Sequence, residues 1–507
     1  MMSEKQSKAS AFAHLDHAEL GWFHLRAVLV SGVGFFTDAY DIFVISQVLP
    51  MIYQAYGKVS PATDGWAKAS TSWGNLVGQL AFGYLGDRLG RKKIYGTELL
   101  IMIFCTVASA FSAPIKEGFG IITVLSIWRF LLGIGIGGDY PMSAIITSEF
   151  ANIKHRGMMM SAVFAMQGLG FLLGGIVSLV TLVAFKSAID SNNDYFDIVW
   201  RIVVGFGVIP ALFAVYFRMT IPETPRFTVA VIGDNEQAQL DSQKILELNG
   251  SVPVVSSYDD AKTEGRPSVS IEKPNTFKDF VAHFGQYKNG IVLFGTAYCW
   301  FALDIAFYGL QLNNNTIISL INFGPHDHAT PYELVYNAVV GNLIVVCMGT
   351  AVGYWFTVFF IEIMGRKPIQ FMGFGVITVC LLILAIFWNS IKTNGAAFIT
   401  VYTIASFFFN FGPNATTFVV PGEVFPTRWR STGHGFSAAC GKAGAIIGVQ
   451  VISPYFQAAN KDVTIPIILY IFAAVMFSGF LATFCIPETK GKSLEELSGE
   501  DEISLEK

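Results

Sequence analysis

The chain has 507 residues, of which 53% are hydrophobic and only 14% charged, and its mean hydropathy is +0.51. Soluble domains carry roughly 25% charged residues, so this composition excludes an ordinary soluble protein and places most of the chain in a bilayer. A formal net charge of −4 leaves no electrostatic footprint for nucleic acid.

Twelve apolar segments follow one another, near residues 27–50, 68–86, 95–113, 121–148, 158–185, 199–221, 290–321, 335–361, 369–389, 396–420, 433–455 and 465–486. Each suits the ~20 residues that a helix needs to cross the hydrocarbon core. Backbone groups in lipid must be satisfied within the segment, so the segments are expected to be helices. The period-two alternation of a membrane barrel is missing from them. Basic residues gather in alternate connections: Arg88, Arg91, Lys92 and Lys93 after the second segment, Lys154 and Arg156 after the fourth, Arg366 and Lys367 after the eighth, Arg428 and Arg430 after the tenth. By the positive-inside rule these loops, both termini and the middle loop face the cytoplasm. Six cysteines lie within apolar segments at no metal-ligand spacing and read as small core residues. The N-terminal residues show no apolar run behind a basic start, so no cleaved signal peptide is expected.

The polar stretch 222–288 divides six segments from six, giving a first half 1–221, a cytoplasmic middle loop, a second half 289–486 and a cytoplasmic tail 487–507. Internal similarity supports the division. "GYLGDRLGRKK" is echoed by "GYWFTVFFIEIMGRK", which sets Asp87 and Arg91 against Glu362 and Arg366. "SEFANIKHR" is echoed by "GEVFPTRWR", which sets Glu149 and Arg156 against Glu423 and Arg430. Gly170 and Gly174 match Gly444 and Gly448 at the same offset, and "PETPR" and "PETKG" close the two halves. Parallel repeats of this kind are the plan of alternating-access transporters, with the substrate site between the halves near the midplane.

These motifs resemble the major facilitator superfamily over nearly the whole chain. More narrowly, "GGDYPMSAIITSEFA", "WFALDIAFYG" and "NFGPNATTFVVPGEVFPTRWRSTGHG" resemble the phosphate:proton symporters of fungi and plants, with Met142 as the visible departure where leucine is common. The resemblance implies an all-helical, twelve-span membrane protein that imports inorganic phosphate with protons.

Asp139 interrupts "LLGIGIGGDYPMSAIITSEF", where a buried charge is tolerable only if protonated or partnered. It reads as a proton carrier, beside Tyr140 as a hydrogen-bond donor to substrate; a packing role for Asp139 is the alternative. Asp38 and Asp41 share a helical face and should not both ionise in low dielectric. Asp38 is read as a relay partner of Asp139, and Asp41 as either a second relay acid or a structural partner. Glu98, just inside the third segment, fits a relay acid or an interfacial residue equally. Trp300, Asp304 and Tyr308 recur every four residues along one stripe. At the repeat offset Tyr140 falls opposite Asn414, and Gln167 beside the counterpart of Lys442, so polar groups from several helices converge. Tyr140, Gln167, Trp300, Tyr308 and Asn414 then offer neutral contacts, and Lys442 a positive charge or a partner for an aspartate in the empty site. The resemblance makes these positions the phosphate contacts, with Asp304 touching substrate and Asp38 and Asp139 moving protons. A protonated Asp304 can donate to a phosphate oxygen, whereas its carboxylate repels it, so proton loss to the cytoplasm would expel the anion.

Asp87, Arg88, Arg91, Glu149 and Arg156, with Glu362, Arg366, Glu423 and Arg430, are expected to form cytoplasmic latches or simply to set topology. Gly133 and Gly137 at GxxxG spacing read as packing residues. "NNT" at Asn314 is an open glycosylation candidate, and "NAT" at Asn414 is discounted because it lies within a span. His155 and His434 are placed near cytoplasmic ends without metal-ligand spacing. The middle loop and the acidic tail read as solvated linkers. The expected partners are phosphate, protons and lipid, with no cofactor or metal, no nucleotide-binding loop, and an oligomeric state left open. The competing functions are a proton-coupled sugar or organic-ion porter and a phosphate-sensing transporter-receptor. An enzyme is disfavoured, because the spans carry no nucleophile–base pair.

Overall fold

The structure is a computed structural model that describes residues 16, 19–115, 120–219, 223–228, 277–319, 329–456 and 460–499. Twelve helical spans run through it. In the first half these are α1 (Trp22–Tyr56), α2 (Pro61–Leu89), α3 (Thr97–Ala110), α4 (Ile121–Phe150), α5 (Arg156–Ala184) and α6 (Tyr195–Arg218). The second half holds α7 (Tyr287–Gln311), α8 (Pro331–Met364), α9 (Arg366–Ile386), α10 (Gly395–Val424), α11 (Arg430–Phe456) and α12 (Lys461–Ala482). Ten are long and apolar enough to cross a membrane by length and composition; α2 is more polar and α3 shorter. The protein is an all-helical membrane protein of two six-helix halves.

Local chemistry sets the breaks between spans. Ser60 caps α2 by accepting from the Thr63 N–H at 3.2 Å, with Pro61 opening the helix. Gly90 and Gly365, at φ +98° and +91°, turn the chain at equivalent points after α2 and α8. Glu223 then accepts from the Arg91 and Lys92 N–H groups at 3.2 and 3.1 Å, and Glu488 from those of Arg366 and Lys367 at 3.1 and 2.9 Å. The PET motifs of the two halves therefore do the same work: each glutamate satisfies the orphan donors that open the next helical stretch.

Glycines bring the helices close. A Cβ at Gly133 or Gly137 of α4 would collide with the Thr71 or Asn75 carbonyl of α2, and one at Gly170 or Gly444 with the Phe36 or Phe301 carbonyl of α1 or α7. The halves meet where α2 packs on α11 and α5 on α8. Large apolar side chains on α3, α6, α9 and α12, including Phe104, Phe213, Val379 and Phe477, are exposed, as a surface solvated by acyl chains requires. The polar residues turn inward instead, onto α1, α4, α7, α10 and α11.

Candidate functional site

Lys442 of α11 is 1% exposed. Its ammonium donates to Asp304 Oδ2 at 2.8 Å and to the Tyr308 hydroxyl at 2.9 Å, both on α7. It also lies 4.3 Å from the Tyr308 ring centre and 5.3 Å from that of Tyr140. A buried ion costs several kcal/mol unless it is neutralised and hydrogen-bonded, and this pair meets both conditions. Gly441 allows the contact, since a Cβ there would strike the Trp300 indole that lies against α11.

Neutral polar groups complete the ring. Gln167 of α5 donates to the Tyr140 hydroxyl at 3.1 Å and accepts from the Tyr354 hydroxyl at 3.3 Å. Tyr354, on α8, accepts from Asn414 Nδ2 at 2.8 Å, and that nitrogen also donates to Asn410 Oδ1 at 2.8 Å. The Tyr140 and Trp300 ring centres are 6.3 Å apart. Asn414 reaches the centre because Gly412 and Pro413 interrupt α10 just before it. Tyr140, Gln167, Trp300, Asp304, Tyr308, Asn414 and Lys442 thus form one buried neighbourhood. Lys442 holds the Asp304 carboxylate, a pairing that the sequence allows beside a direct contact with substrate.

A second cluster is built from α1, α3, α4 and α6. Asp139 accepts from Arg218 Nη2 and from Ser143 Oγ, each at 2.5 Å. Arg218 Nη1 donates to Glu98 at 3.0 Å, and its guanidinium stacks 4.5 Å from the Tyr95 ring. Glu98 is fully buried, which decides against the interfacial reading. Asp41 accepts from Thr106 at 3.0 Å, and Arg129 donates to the Asp41 and Ile42 carbonyls at 3.0 and 3.3 Å. Asp38 is fully buried, and neither of its carboxyl oxygens has a hydrogen-bond partner.

The helix ends that carry the clustered arginines are cross-linked with near two-fold symmetry. Glu149 pairs with Arg91 at 3.3 Å and Arg430 at 3.2 Å, while Glu423 pairs with Arg156 at 2.9 Å and Arg366 at 2.8 Å. Thr224 and Thr489 of the PET motifs each donate to the matching glutamate at 2.5 Å. Asp87, besides pairing with Arg91 at 3.3 Å, accepts from the Ser431 and Thr432 N–H groups that open α11; Glu362 pairs with Arg366 and accepts from the Met158 N–H that opens α5. Each half therefore caps a helix of the other. At the opposite end Lys68 donates to Asn313 at 3.1 Å, Trp73 to Gln450 at 3.0 Å and Asn315 to the Ser46 carbonyl at 2.5 Å, so the halves are bridged there as well.

Two sequence expectations need correction, those on Asn314 and on the linkers. Arg88 is exposed, with its guanidinium 4.9 Å from the Tyr84 ring. Asn314 is fully buried and bonded to Gln311, Asn342 and Tyr402, which rules out its use as a glycan acceptor in this fold. His434, in the second turn of α11, is buried, contacts the Phe418 carbonyl at 3.1 Å and packs edge-on to Trp300. The PET segment and the tail are only partly solvated linkers: Arg226 is 1% exposed, bonded to Asp16 and Glu495, and Leu494 is fully buried. Among the described residues no cluster of metal-ligating side chains occurs.

Two partners were not foreseen. Arg218, inside the sixth segment, receives no role from the sequence. Tyr354 sits in an aromatic run typical of lipid-facing helix. Each had one available signal: an unpaired acid elsewhere in the chain needs a cation, and the repeat places α8 opposite α2 at the interface.

The chain matches the model of the sugar (and other) transporter family over residues 27–500. It belongs to that family. Within it, the chain is 46% identical to a repressible high-affinity phosphate permease of Neurospora crassa, over 98% of this chain and 90% of the relative. It is 40% identical to the inorganic phosphate transporter PHO84 of Saccharomyces cerevisiae, over 96% and 86%, and 42% identical to the probable inorganic phosphate transporter 1-6 of Arabidopsis thaliana, over 99% and 98%. These relatives are named as phosphate permeases and transporters, and the family to which the chain belongs is one of transporters and not of enzymes. Among solved structures, the proton:xylose symporter XylE bound to 6-bromo-6-deoxy-D-glucose superposes with a TM-score of 0.72 at 20% identity, over 94% of this chain and 98% of that one. At that identity the likeness is one of fold.

Proposed function

We propose that this transporter imports inorganic phosphate together with protons by alternating access, across the plasma membrane, with both termini and the latched face in the cytoplasm. The observation that carries the reading is the buried Lys442 ammonium, held by Asp304 and Tyr308 and ringed by the neutral groups of Tyr140, Gln167, Trp300 and Asn414. The orientation is supported by the basic residues Arg91, Arg156, Arg366 and Arg430 gathered at the latched end.

In the empty site Asp304 neutralises Lys442. An arriving phosphate competes for the same ammonium, and two acceptors of like charge cannot share it in low dielectric. Protonation of Asp304 removes the conflict: the ammonium turns to the phosphate, and the carboxylic acid donates a hydrogen bond to a phosphate oxygen. Loss of that proton on the cytoplasmic side restores the Lys442–Asp304 pair and ejects the anion. Asp38 and Asp139, with Glu98 and Arg218, form the buried acidic cluster through which the protons pass. Moving a negative charge inward against roughly 100 mV costs about 2.3 kcal/mol, so a monovalent phosphate needs more than one proton for the potential to assist.

Purified protein in sealed liposomes with an acidic exterior should accumulate labelled phosphate above equilibrium and lose that accumulation with a protonophore. Asp304→Asn should retain phosphate exchange at equal concentrations while losing the pH-driven accumulation. Concentrative uptake by Asp304→Asn would remove Asp304 from the coupling step.

A further inference from the structure

We infer that Arg218 is a positioning residue for a proton: by claiming Asp139 and Glu98 as its two carboxylate partners, it leaves Asp38 as the acid of this cluster that carries a transported proton, in addition to the one on Asp304. The inference deepens the proton-coupled reading above and rests on it.

The arrangement is built, not incidental. Arg218 comes from the last turn of α6, Glu98 from the first turn of α3 and Asp139 from the middle of α4, so three elements converge on one guanidinium. All three side chains are fully enclosed. The Tyr95 ring covers the guanidinium face. On α1 the space is made by Gly34, where a Cβ would overlap Arg218 Nη2 and crowd Asp139 Oδ2. One helical turn beyond Gly34 stands Asp38, whose oxygens are buried and unpartnered.

Charge counting then assigns the proton. The charged groups around Asp38 are Asp139 on α4, Glu98 on α3, Arg218 on α6 and Asp41 on its own helix. Arg129 of α4 answers Asp41 at its backbone carbonyl, and Thr106 donates to its carboxylate. Arg218 forms ion pairs with Asp139 and Glu98, and Asp38 has no cation within bonding distance. A buried carboxylate without a partner is the costliest state in this cluster, so the proton belongs on Asp38. In transit the Asp38 O–H bond breaks, the proton leaves through water on the cytoplasmic side, and the carboxylate remains until the next proton arrives. Arg218 makes that loss feasible, because its positive charge offsets the negative charge that Asp38 acquires.

Removing the cation makes the cluster more negative and tightens its hold on the mobile proton. In proteoliposomes, Arg218→Gln should shift the alkaline limb of the phosphate-uptake pH profile upward by about one pH unit or more, and should lower the maximal rate at least tenfold because proton release becomes slow. Arg218→Lys, which keeps the charge, should return the limb to within half a unit of the unmodified protein. The double variant Glu98→Gln with Arg218→Gln removes one charge of each sign and should recover both folding and an intermediate profile, so that poor folding of the single variant does not end the test. An unshifted limb in Arg218→Gln, or in the double variant where the single one does not fold, overturns the inference. So does a lysine variant that is as impaired as the glutamine one. If the unmodified protein itself ignores the pH gradient, the proton-coupled reading falls; if it responds and Arg218→Gln keeps the same profile, only the role of Arg218 falls.

Discussion

Tyr354 fixes two amides at once: its hydroxyl accepts from Asn414 and donates to the Gln167 carbonyl oxygen, leaving the Gln167 NH2 group aimed at Tyr140. Tyr354→Phe strands a buried acceptor, a loss of about 1–3 kcal/mol. Half-saturation for phosphate should therefore rise roughly 5- to 100-fold at an unchanged pH profile, read as labelled uptake against phosphate concentration; an unchanged half-saturation would remove Tyr354 from the site's support. The contrast with Asp304 shows what the sequence makes legible. A carboxylate or an ammonium inside an apolar run is conspicuous, because hydrocarbon makes it expensive, and so Asp139, Asp304 and Lys442 stand out. A tyrosine in the same setting carries no such signature. Its role depends on which helix faces it, and Arg218 is hidden for the same reason, among charges that need no partner to be explained.

The spans themselves were readable from hydropathy alone, since a helix is the only self-satisfied way for a single segment to cross lipid. Their irregularities were not. Five- and six-residue π-helical stretches at Val346–Thr350 and Ile447–Ile452 widen α8 at its middle and α11 toward its C-terminal end, while α2 and α5 at the matching places in the first half run as continuous α-helix. Such bulges follow packing and leave no composition signal. The α2–α4 seam is different, because its glycines meet backbone and nothing nearby can yield. Gly137→Val should cost at least the upper end of the ~1–3 kcal/mol typical of overpacking, whereas Gly375→Ala, with only ordinary contacts 3.8 Å away, should be neutral or stabilising; detergent melting temperatures separate the two. The tail helix Leu494–Ser498 gives a pH prediction. Burial pushes the Glu495 carboxyl up, but Arg226, Arg430 and Arg156 outweigh it and hold it below the ordinary carboxylate range. A depressed value in the folded state stabilises above the ordinary range and is lost as pH falls through the depressed one. Amide-exchange protection of this helix should therefore be flat from pH 6 to 8, after correction for intrinsic rates, and disappear only in strong acid.

For the whole molecule, the two glutamates of the latch are the groups expected to set which face opens. Glu149 and Glu423 each neutralise two fully buried arginines contributed by both halves, so the closed face is held by ion pairs that must separate as a unit when it opens. Removing one partner of a buried pair costs about 3–5 kcal/mol. Here that cost falls on the cytoplasm-closed state alone, because opening the face lets water solvate the abandoned guanidinium groups. A shift of about 5.5 kcal/mol is enough to move a population from 99:1 to 1:99, so one glutamate brings the protein most of the way and two complete the change. Glu423→Gln should therefore favour the cytoplasm-open form, and Glu149→Gln with Glu423→Gln should populate it almost fully. Spin labels at the cytoplasmic ends of α4 and α10 should report longer distances in the same order. Apparent affinity for external phosphate should weaken in parallel, since a ligand that needs the minor state loses affinity by the fraction of that state. If the labels keep the unmodified distance while affinity falls, the glutamates act on the site directly, and the latch is not what sets the balance between the two faces.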